Sequence, residues 1–181
     1  MKHKFFLLLW SLFLSAVVVK GQRNWTVADG LPTGEVRQIV ELPNSQMLVN
    51  CEGVFCISNG QSFDVVPCDQ SQAYQLPRYT NGYGQTWEGD SILWLRDFYR
   101  IFRFHALRRV FINDVESKLN DNLLKTILSD KAHTPQPTAE QQRIIDSLRI
   151  HDATLATSDR PGGLWIGTHS NGIIYQPAHR R

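Results

Sequence analysis

Three aromatic residues lie close together in a polar segment of the chain. Tyr79, Tyr83 and Trp87 fall within a stretch that is rich in Gln, Gly and Asn. Exposed aromatic rings of this kind are suited to stacking on the apolar faces of sugars, because they combine an apolar body with a polar tip. The segment therefore predicts a platform for an oligosaccharide or another small ligand. The competing interpretation, which is the commoner role of a tryptophan, is that Trp87 packs between structural units.

Arg96 and Asp97 are adjacent charged residues at the predicted end of a strand. An ion pair or a ligand contact is one interpretation, which makes Arg96 a candidate binding residue. A solvated turn is the simpler interpretation and the one that we expect, because charged residues are seldom buried without a partner.

The residues that could carry catalysis or bind a metal form no recognisable pattern. Nucleophilic catalysis needs a nucleophile beside a base, and glycoside hydrolysis needs two carboxylates. The best candidates, Ser158-Asp159 and His169-Ser170, fall in predicted turns, and no Cys or His pair has the spacing of a zinc site. We therefore expect that the protein is not an enzyme and binds no metal or other cofactor.

Cys51, Cys56 and Cys68 are the three cysteines of the chain. Cys51 and Cys56 flank the turn at Glu52-Gly53 and could face each other across a hairpin. A disulfide between them is one possibility, but cross-strand disulfides are often strained, and an odd count leaves one thiol unpaired. Burial as small apolar side chains is the interpretation that we favour.

The elements that would position these residues are predicted by a hairpin that recurs. In residues 162–175, alternating apolar residues are followed by the turn signal Asn171-Gly172 and a second apolar strand. Residues 46–56 and 91–102 have a similar layout. Aligning Leu48, Trp94 and Trp165 gives spacings of 46 and 71 residues. The first spacing is near the roughly 40–50-residue period of a four-stranded propeller blade, and the second adds an insertion.

The sequence therefore predicts an all-β fold, a partial β-propeller of about three four-stranded antiparallel blades. The blades are expected near residues 33–66, 84–114 and 153–177, with a helical insertion near 119–151. Within the insertion, Thr138 and Gln141 are typical of a helix capping box. Residues 123–128 fit either a helix or a first blade strand. We favour residues 153–158 as that strand.

The N-terminus has the pattern of an export signal. Lys2 and Lys4 precede an apolar run over residues 5–19, which is too short to span a bilayer comfortably. We expect cleavage after Gly21, a periplasmic or secreted domain over residues 22–181, and no membrane span after the signal. The whole chain has a net charge of +2, to which the lysines of the signal contribute. The remainder is close to neutral, so we expect no nucleic-acid partner.

Two segments carry a resemblance to a known family. Asp29-Gly30-Leu31-Pro32, followed by Val36, Ile39 and Gly53-Val54-Phe55, resembles the two-component regulator propeller repeat. Residues 163–168 with Gly172-Ile173 are similar to the most specific part of that repeat. The resemblance implies a periplasmic propeller that serves as the sensor part of a hybrid two-component system. Such propellers usually precede a membrane span and a histidine kinase, and many of these sensors recognise glycan fragments.

The function expected from this resemblance is that of an exported sensor or ligand-binding module, with glycan sensing as the specific form. The chain shows three units, where the family usually has many, and no kinase follows them. The alternative is therefore a non-catalytic interaction module or a truncated remnant without its own ligand. A chain of this length cannot close a propeller of four to eight blades. We expect its open blade edges to favour self-association.

Overall fold

The structure, a computed structural model, describes residues 21–77, 82–129 and 137–178. The predicted signal peptide, apart from Gly21, lies outside them, as does Tyr79. The strands are β1 (Arg23–Trp25), β2 (Gln38–Glu41), β3 (Met47–Cys51), β4 (Val54–Ser58), β5 (Phe63–Val65), β6 (Tyr74–Gln75), β7 (Tyr83–Glu88), β8 (Ile92–Asp97), β9 (Arg100–His105), β10 (Val110–Phe111), β11 (Ala153–Ser158), β12 (Leu164–Thr168) and β13 (Ile173–Gln176). The α-helices are α1 (Val115–Lys118), α2 (Asp121–Leu128) and α3 (Ala139–Ser147), and two short 3-10 helices span Val27–Asp29 and Gln70–Gln72.

The strands form three antiparallel sheets, which confirms the predicted all-β class. The first sheet has the order β2-β3-β4-β5, the second β7-β8-β9-β10, and the third β11-β12-β13-β1. The short strand β6 also pairs with β9. Leu48, Trp94 and Trp165 each lie on the second strand of their sheet, as the repeat predicts. This sheet-rich fold is compatible with a propeller-like repeat.

Tight turns set the register of the first sheet. The hairpin between β3 and β4 turns at Glu52 and Gly53, whose φ angles are 50° and 88°. Positive φ at both central residues is the signature of a type I′ turn, which matches the twist of the two strands. The register pairs Cys51 with Val54 and Val49 with Cys56. Cys51 and Cys56 are therefore diagonal neighbours rather than a directly facing pair.

The strand β1 joins the N-terminal part of the chain to the third sheet. Its residues pair with β13, and Trp25 lies opposite Ile173. The turn before β13 lies close to β1, since a Cβ added at Gly172 would be 2.1 Å from the Trp25 carbonyl oxygen. Only glycine allows the backbone to approach so closely. The third sheet is thus completed by a strand from the opposite end of the described chain.

The three sheets stack with the first sheet in the middle. One apolar cluster lies between the first and third sheets, and another lies between the first and second. The former is built around Val49, Phe63, Trp25 and Trp165, and the latter around Leu48, Phe55, Leu95 and Phe102. Because apolar side chains fill both faces of the first sheet, its central strand β3 is buried along its whole length. Continuous burial explains why β3 reads as a nearly unbroken apolar run.

The helices of the insertion cover the two outer faces of the stack. Val115 of α1 and Ile127 of α2 pack with Trp94 and Ile101 against the second sheet. On the opposite side, Ile145 of α3 packs with other apolar residues against the third sheet. That cluster includes Ala156, Leu164, Ile166 and Ile174. The helices thus cover the outer faces of the second and third sheets, each of which packs against only one other sheet.

The same segment settles two alternatives that the sequence left open. Residues 123–128 are helical, and Asn120 caps α2 by accepting a 2.9 Å hydrogen bond from the Leu123 amide. Ala153–Ser158 is the first strand of the third sheet, as we favoured. The predicted capping box is also present, because Thr138 and Gln141 bond each other's backbone amides at the start of α3.

The helices cover the outer faces of the second and third sheets, so these faces offer little apolar surface for self-association, whereas the predicted pairing through open blade edges stays a prediction. We now expect the chain without residues 1–21 to be a monomer, because α1, α2 and α3 bury the apolar surfaces that would otherwise pair. Size exclusion with light scattering should give one monomer mass at all concentrations. The variant Ile145→Glu should associate, since the side chain of Ile145 is 1% exposed and holds α3 on the third sheet. A dimer of the unaltered chain would contradict the expectation.

No helix among the described residues is long and apolar enough to cross a membrane.

Candidate functional site

A shallow depression of about 530 Å³, wide open to solvent, lies where the first strands of the three sheets end. It is lined by Glu41 and Pro43 after β2, by Trp87, Gly89 and Asp90 at the end of β7, and by Arg160 after β11. We call this cavity the Trp87 pocket. Each sheet therefore contributes residues to it.

Trp87 is the most exposed of the described tryptophans. Its side chain is 38% exposed, whereas Trp25, Trp94 and Trp165 are 5%, 0% and 9% exposed. Its strand partner on β8, Leu93, is fully buried. Cross-strand partners share a face of the sheet, and Leu93 belongs to the apolar cluster between the first and second sheets. Trp87 therefore lies partly exposed at the edge of the space between these two sheets, where its ring contributes to the wall of the pocket.

Arg160 fixes the opposite wall of the Trp87 pocket. Its backbone amide donates to Glu41 Oε2 at 2.9 Å, and its guanidinium donates to the Leu42 carbonyl at 2.6 Å. The guanidinium Nε also lies 3.3 Å from Glu41 Oε1, an ion-pair distance without hydrogen-bond geometry. Within the described residues, Glu41 Oε1 is buried and accepts no hydrogen bond. These contacts tie the turn after β2 to the turn after β11.

The predicted aromatic platform is not a single surface. Tyr83 begins β7 and Trp87 lies four residues further along, a distance of roughly 13 Å in a strand. Tyr83 instead packs on Phe98, with ring centroids 4.9 Å apart. Burial raises the pKa of Tyr83 to about 12, with a further contribution from the charge of Asp97. Of the two platform residues that the structure describes, Trp87 lines the pocket and Tyr83 does not.

Arg96 and Asp97 are both buried, so the predicted solvated turn is wrong. Each side chain is 1% exposed. Strand alternation places Arg96 on the face of β8 that carries Trp94, and burial lowers its pKa. Asp97 pairs with Arg100, although burial still raises the pKa of the carboxyl. Arg96 therefore lies away from the Trp87 pocket.

Trp94 and Trp165, which lie at equivalent positions of the predicted repeat, make the same kind of hydrogen bond. Trp94 Nε1 donates to Glu88 Oε2 at 2.9 Å, and Trp165 Nε1 donates to Asp159 Oδ2 at 2.9 Å. In both cases the carboxylate precedes the indole by six residues. Burial of an indole is favourable when its N–H finds a partner. The pair of contacts supports the prediction that Trp94 and Trp165 are packing residues, and the six-residue spacing was a sequence signal for it.

A second cavity, of about 550 Å³, lies between the first and third sheets. We call it the Tyr175 pocket. Trp25 stacks on Trp165 with ring centroids 4.8 Å apart, and Tyr175 lies 4.9 Å from Trp165. These rings and the turns of the first sheet line the cavity. The sequence did not predict this pocket, because Trp25 reaches it only through the pairing of β1 with β13.

No family model and no curated protein matches this chain.

The titratable residues of the described ranges do not assemble a metal centre. Groups of three or more His, Cys, Asp or Glu side chains that could hold an ion are absent from those ranges. All three cysteines are free thiols, and Cys51 and Cys56 are buried. Cys56 donates its S–H to the sulfur of Cys51, and this hydrogen bond together with burial raises the pKa of Cys56. The Trp87 pocket and the Tyr175 pocket, which aromatic side chains line, are the candidates that we consider further.

The thiols give a direct chemical prediction. In the folded chain at pH 8, we expect Cys51 and Cys56 to be unreactive toward Ellman's reagent, because both are buried. Cys68 should react slowly, since burial raises its pKa to about 11 and leaves little thiolate. In guanidinium chloride, all three thiols should react with Ellman's reagent, both without reductant and after prior reduction. A single titratable thiol before reduction would instead show a disulfide.

Proposed function

We propose that this protein is an exported, non-catalytic binding module whose ligand, a glycan fragment, occupies the Trp87 pocket. The observation that carries the proposal is the exposed indole of Trp87 on the wall of an open cavity built by all three sheets. Similarity of the repeat to two-component regulator propellers supports a sensor role. The proposed location, periplasmic or secreted, rests on the signal pattern over residues 1–21.

The pocket has the chemistry that a sugar requires. Its volume of about 530 Å³ falls within the usual range for small-molecule sites. The apolar face of a sugar ring can stack on Trp87, while its hydroxyl groups donate to the carboxylates of Glu41 and Asp90. Because Arg160 fixes Glu41 through an ion pair, that carboxylate is held in place before a ligand arrives. Preorganisation of this kind lowers the entropic cost of binding.

The same residues support binding without catalysis. A glycosidase needs one carboxylic acid kept protonated by apolar surroundings. Glu41 is instead paired with Arg160, and Asp90 lies in an exposed turn. Neither has the environment of a general acid.

Titration calorimetry against a panel of oligosaccharides tests the proposal. At least one should release heat, and Trp87→Ala should weaken its binding tenfold or more, which corresponds to about 1.4 kcal/mol. The matched control is Tyr99→Ala, since Tyr99 is 44% exposed but lies in the turn between β8 and β9, at the other end of the second sheet. This control should bind as the unaltered chain does.

Two results would count against the proposal. The absence of heat with every saccharide on folded protein would favour an interaction module or remnant without its own ligand. Equal losses in Trp87→Ala and Tyr99→Ala would remove the Trp87 pocket as the site.

A further inference from the structure

The Tyr175 pocket, which the proposed function does not use, has an arginine on its wall. Among the described residues that line the pocket, Arg23 alone carries a charge, and the others are neutral. The guanidinium carbon of Arg23 lies 4.7 Å from the ring centroid of Trp25, and the Arg23 side chain is exposed. A positive charge that a ligand can reach therefore lies beside an aromatic wall.

Hydrogen bonds to the first sheet hold the guanidinium of Arg23 in place. Its Nη1 donates to the Gly60 carbonyl at 3.0 Å, and its Nη2 donates to the Gln61 carbonyl at 2.9 Å. Both acceptors are uncharged, so they orient the side chain without cancelling its charge. An arginine has five N–H donors, which leaves three for a ligand. The planar fork of these donors matches a carboxylate.

The polar groups around the pocket have donors to offer and few free acceptors. Gln46 Nε2 donates to the Ser58 carbonyl at 2.6 Å. The backbone amides of Gln61 and Ser62 both donate to Asn59 Oδ1. Ser62 Oγ accepts from Asn59 Nδ2 at 2.8 Å, so its hydroxyl proton is left to donate. A ligand that supplies acceptor atoms therefore suits this pocket better than one that supplies donors.

Two carboxylates lie near the pocket but are not part of its wall. Asp64 Oδ2 accepts from Asn59 Nδ2 at 3.2 Å. Asp159 accepts from the Gly163 amide at 2.6 Å and from the Trp165 indole at 2.9 Å. These carboxylates reduce the positive potential of the pocket, but neither is among the residues that a ligand there would contact.

On these grounds we propose that the Tyr175 pocket binds a small carboxylate that carries an aromatic ring. The carboxylate accepts hydrogen bonds from Arg23 and the Ser62 hydroxyl, while the ring packs against Tyr175 and Pro177. The volume of about 550 Å³ is in the usual range for small-molecule sites. The inference does not depend on the proposed function, because the Trp87 pocket is lined by other residues.

Calorimetry with three matched probes tests the preference for an acid. The probes are 3-phenylpropionate, 3-phenylpropionamide and 3-phenylpropylamine, which share a ring and a tether and differ in the charge of the end group. At neutral pH and low salt, the acid should bind about tenfold more tightly than the amide, because its hydrogen bonds to arginine are charge-assisted. The amine should bind most weakly. Added salt should narrow these differences, because the guanidinium is exposed.

Variants of Arg23 separate its charge from the shape of the pocket. Arg23→Gln should remove the preference for the acid over the amide, and Arg23→Lys should keep part of it, because lysine retains the charge but not the fork. The matched control is Arg108→Gln, which removes an exposed arginine from the turn between β9 and β10 and should leave all three affinities unchanged. If Arg23→Gln does not fold, the lysine variant and the probe series still decide.

The indole spectra locate the acid. The Gln61 carbonyl accepts from both Arg23 and the Trp25 indole, so binding at Arg23 should shift the Trp25 indole signal. A shift of the Trp87 signal alone would overturn the proposal, as would equal affinities of the three probes or no binding of any of them to the folded chain. An undiminished preference for the acid in folded Arg23→Gln would overturn it too. None of these results bears on saccharide binding at the Trp87 pocket, which the saccharide panel tests separately.

Discussion

Replacing Trp25 with alanine is expected to lower the free energy of unfolding by about 3–5 kcal/mol, the usual range for removing a large buried aromatic side chain. Trp25 is 5% exposed, stacks on Trp165 and meets Phe63 edge-on at 5.9 Å. It is also the only buried residue of β1. Its loss should therefore leave a cavity and release the strand that completes the third sheet.

Chemical denaturation monitored by circular dichroism measures this effect. Trp87→Ala is the matched control, because it removes the same side chain from an exposed position and should cost far less stability. If the two variants were equally stable, the docking of β1 on β13 would not contribute to the folded state.

The second large effect is expected at Trp94. This side chain is fully buried between the second sheet and the helices α1 and α2. Trp94→Ala should cost about 3–5 kcal/mol, since it removes packing from both layers. It should also loosen the helices that cover the second sheet.

Trp94→Phe separates packing from hydrogen bonding. The phenyl ring retains most of the apolar contact but cannot donate to Glu88, so the expected cost is about 1.5–3 kcal/mol, the range for a hydrogen bond to a charged group. Arg103, which also pairs with Glu88, should keep that carboxylate partly satisfied. Denaturation of both variants should place the phenylalanine variant between the alanine variant and the unaltered chain. Equal stabilities of the phenylalanine variant and the unaltered chain would show that the indole N–H contributes nothing.

Local signals in the sequence predicted the parts of the fold that depend on neighbouring residues. The hairpin turn at Asn171-Gly172 and the capping box at Thr138 lie where the sequence placed them. Turn and cap preferences depend on the backbone of a few adjacent residues, so they can be recognised without the tertiary structure.

Long-range contacts were beyond the reach of these signals. Nothing in the three residues of β1 indicates pairing with β13. The apolar face of a helix likewise does not indicate which sheet the helix will cover. The burial of Asp97 was missed for a related reason. Its partner Arg100 lies beyond a turn, and the covering first sheet comes from another part of the chain. Sequence patterns predict which face of an element is apolar but not which element meets it.

The candidate site also shows that local signals can be read from the sequence, whereas long-range contacts cannot. Trp87 was predicted as a site residue from its polar surroundings. Glu41 and Arg160 were not, because they lie far apart in the sequence and meet only when the first and third sheets pack. Tyr83 was grouped with Trp87 because the two are close in sequence. Both lie on β7, whose extended backbone holds them apart, whereas a compact loop would bring them together.

Two-dimensional ¹H–¹⁵N spectra of the four tryptophan indoles that follow the predicted signal test the binding proposal most directly. The indoles of Trp25, Trp94 and Trp165 donate to Gln61, Glu88 and Asp159 within the protein, whereas Trp87 lines the pocket. On titration with a saccharide that releases heat, the Trp87 indole signal should shift strongly, and the other three should stay nearly fixed. Shifts of Trp25 and Trp165 with Trp87 unmoved would place the ligand in the Tyr175 pocket and contradict the account.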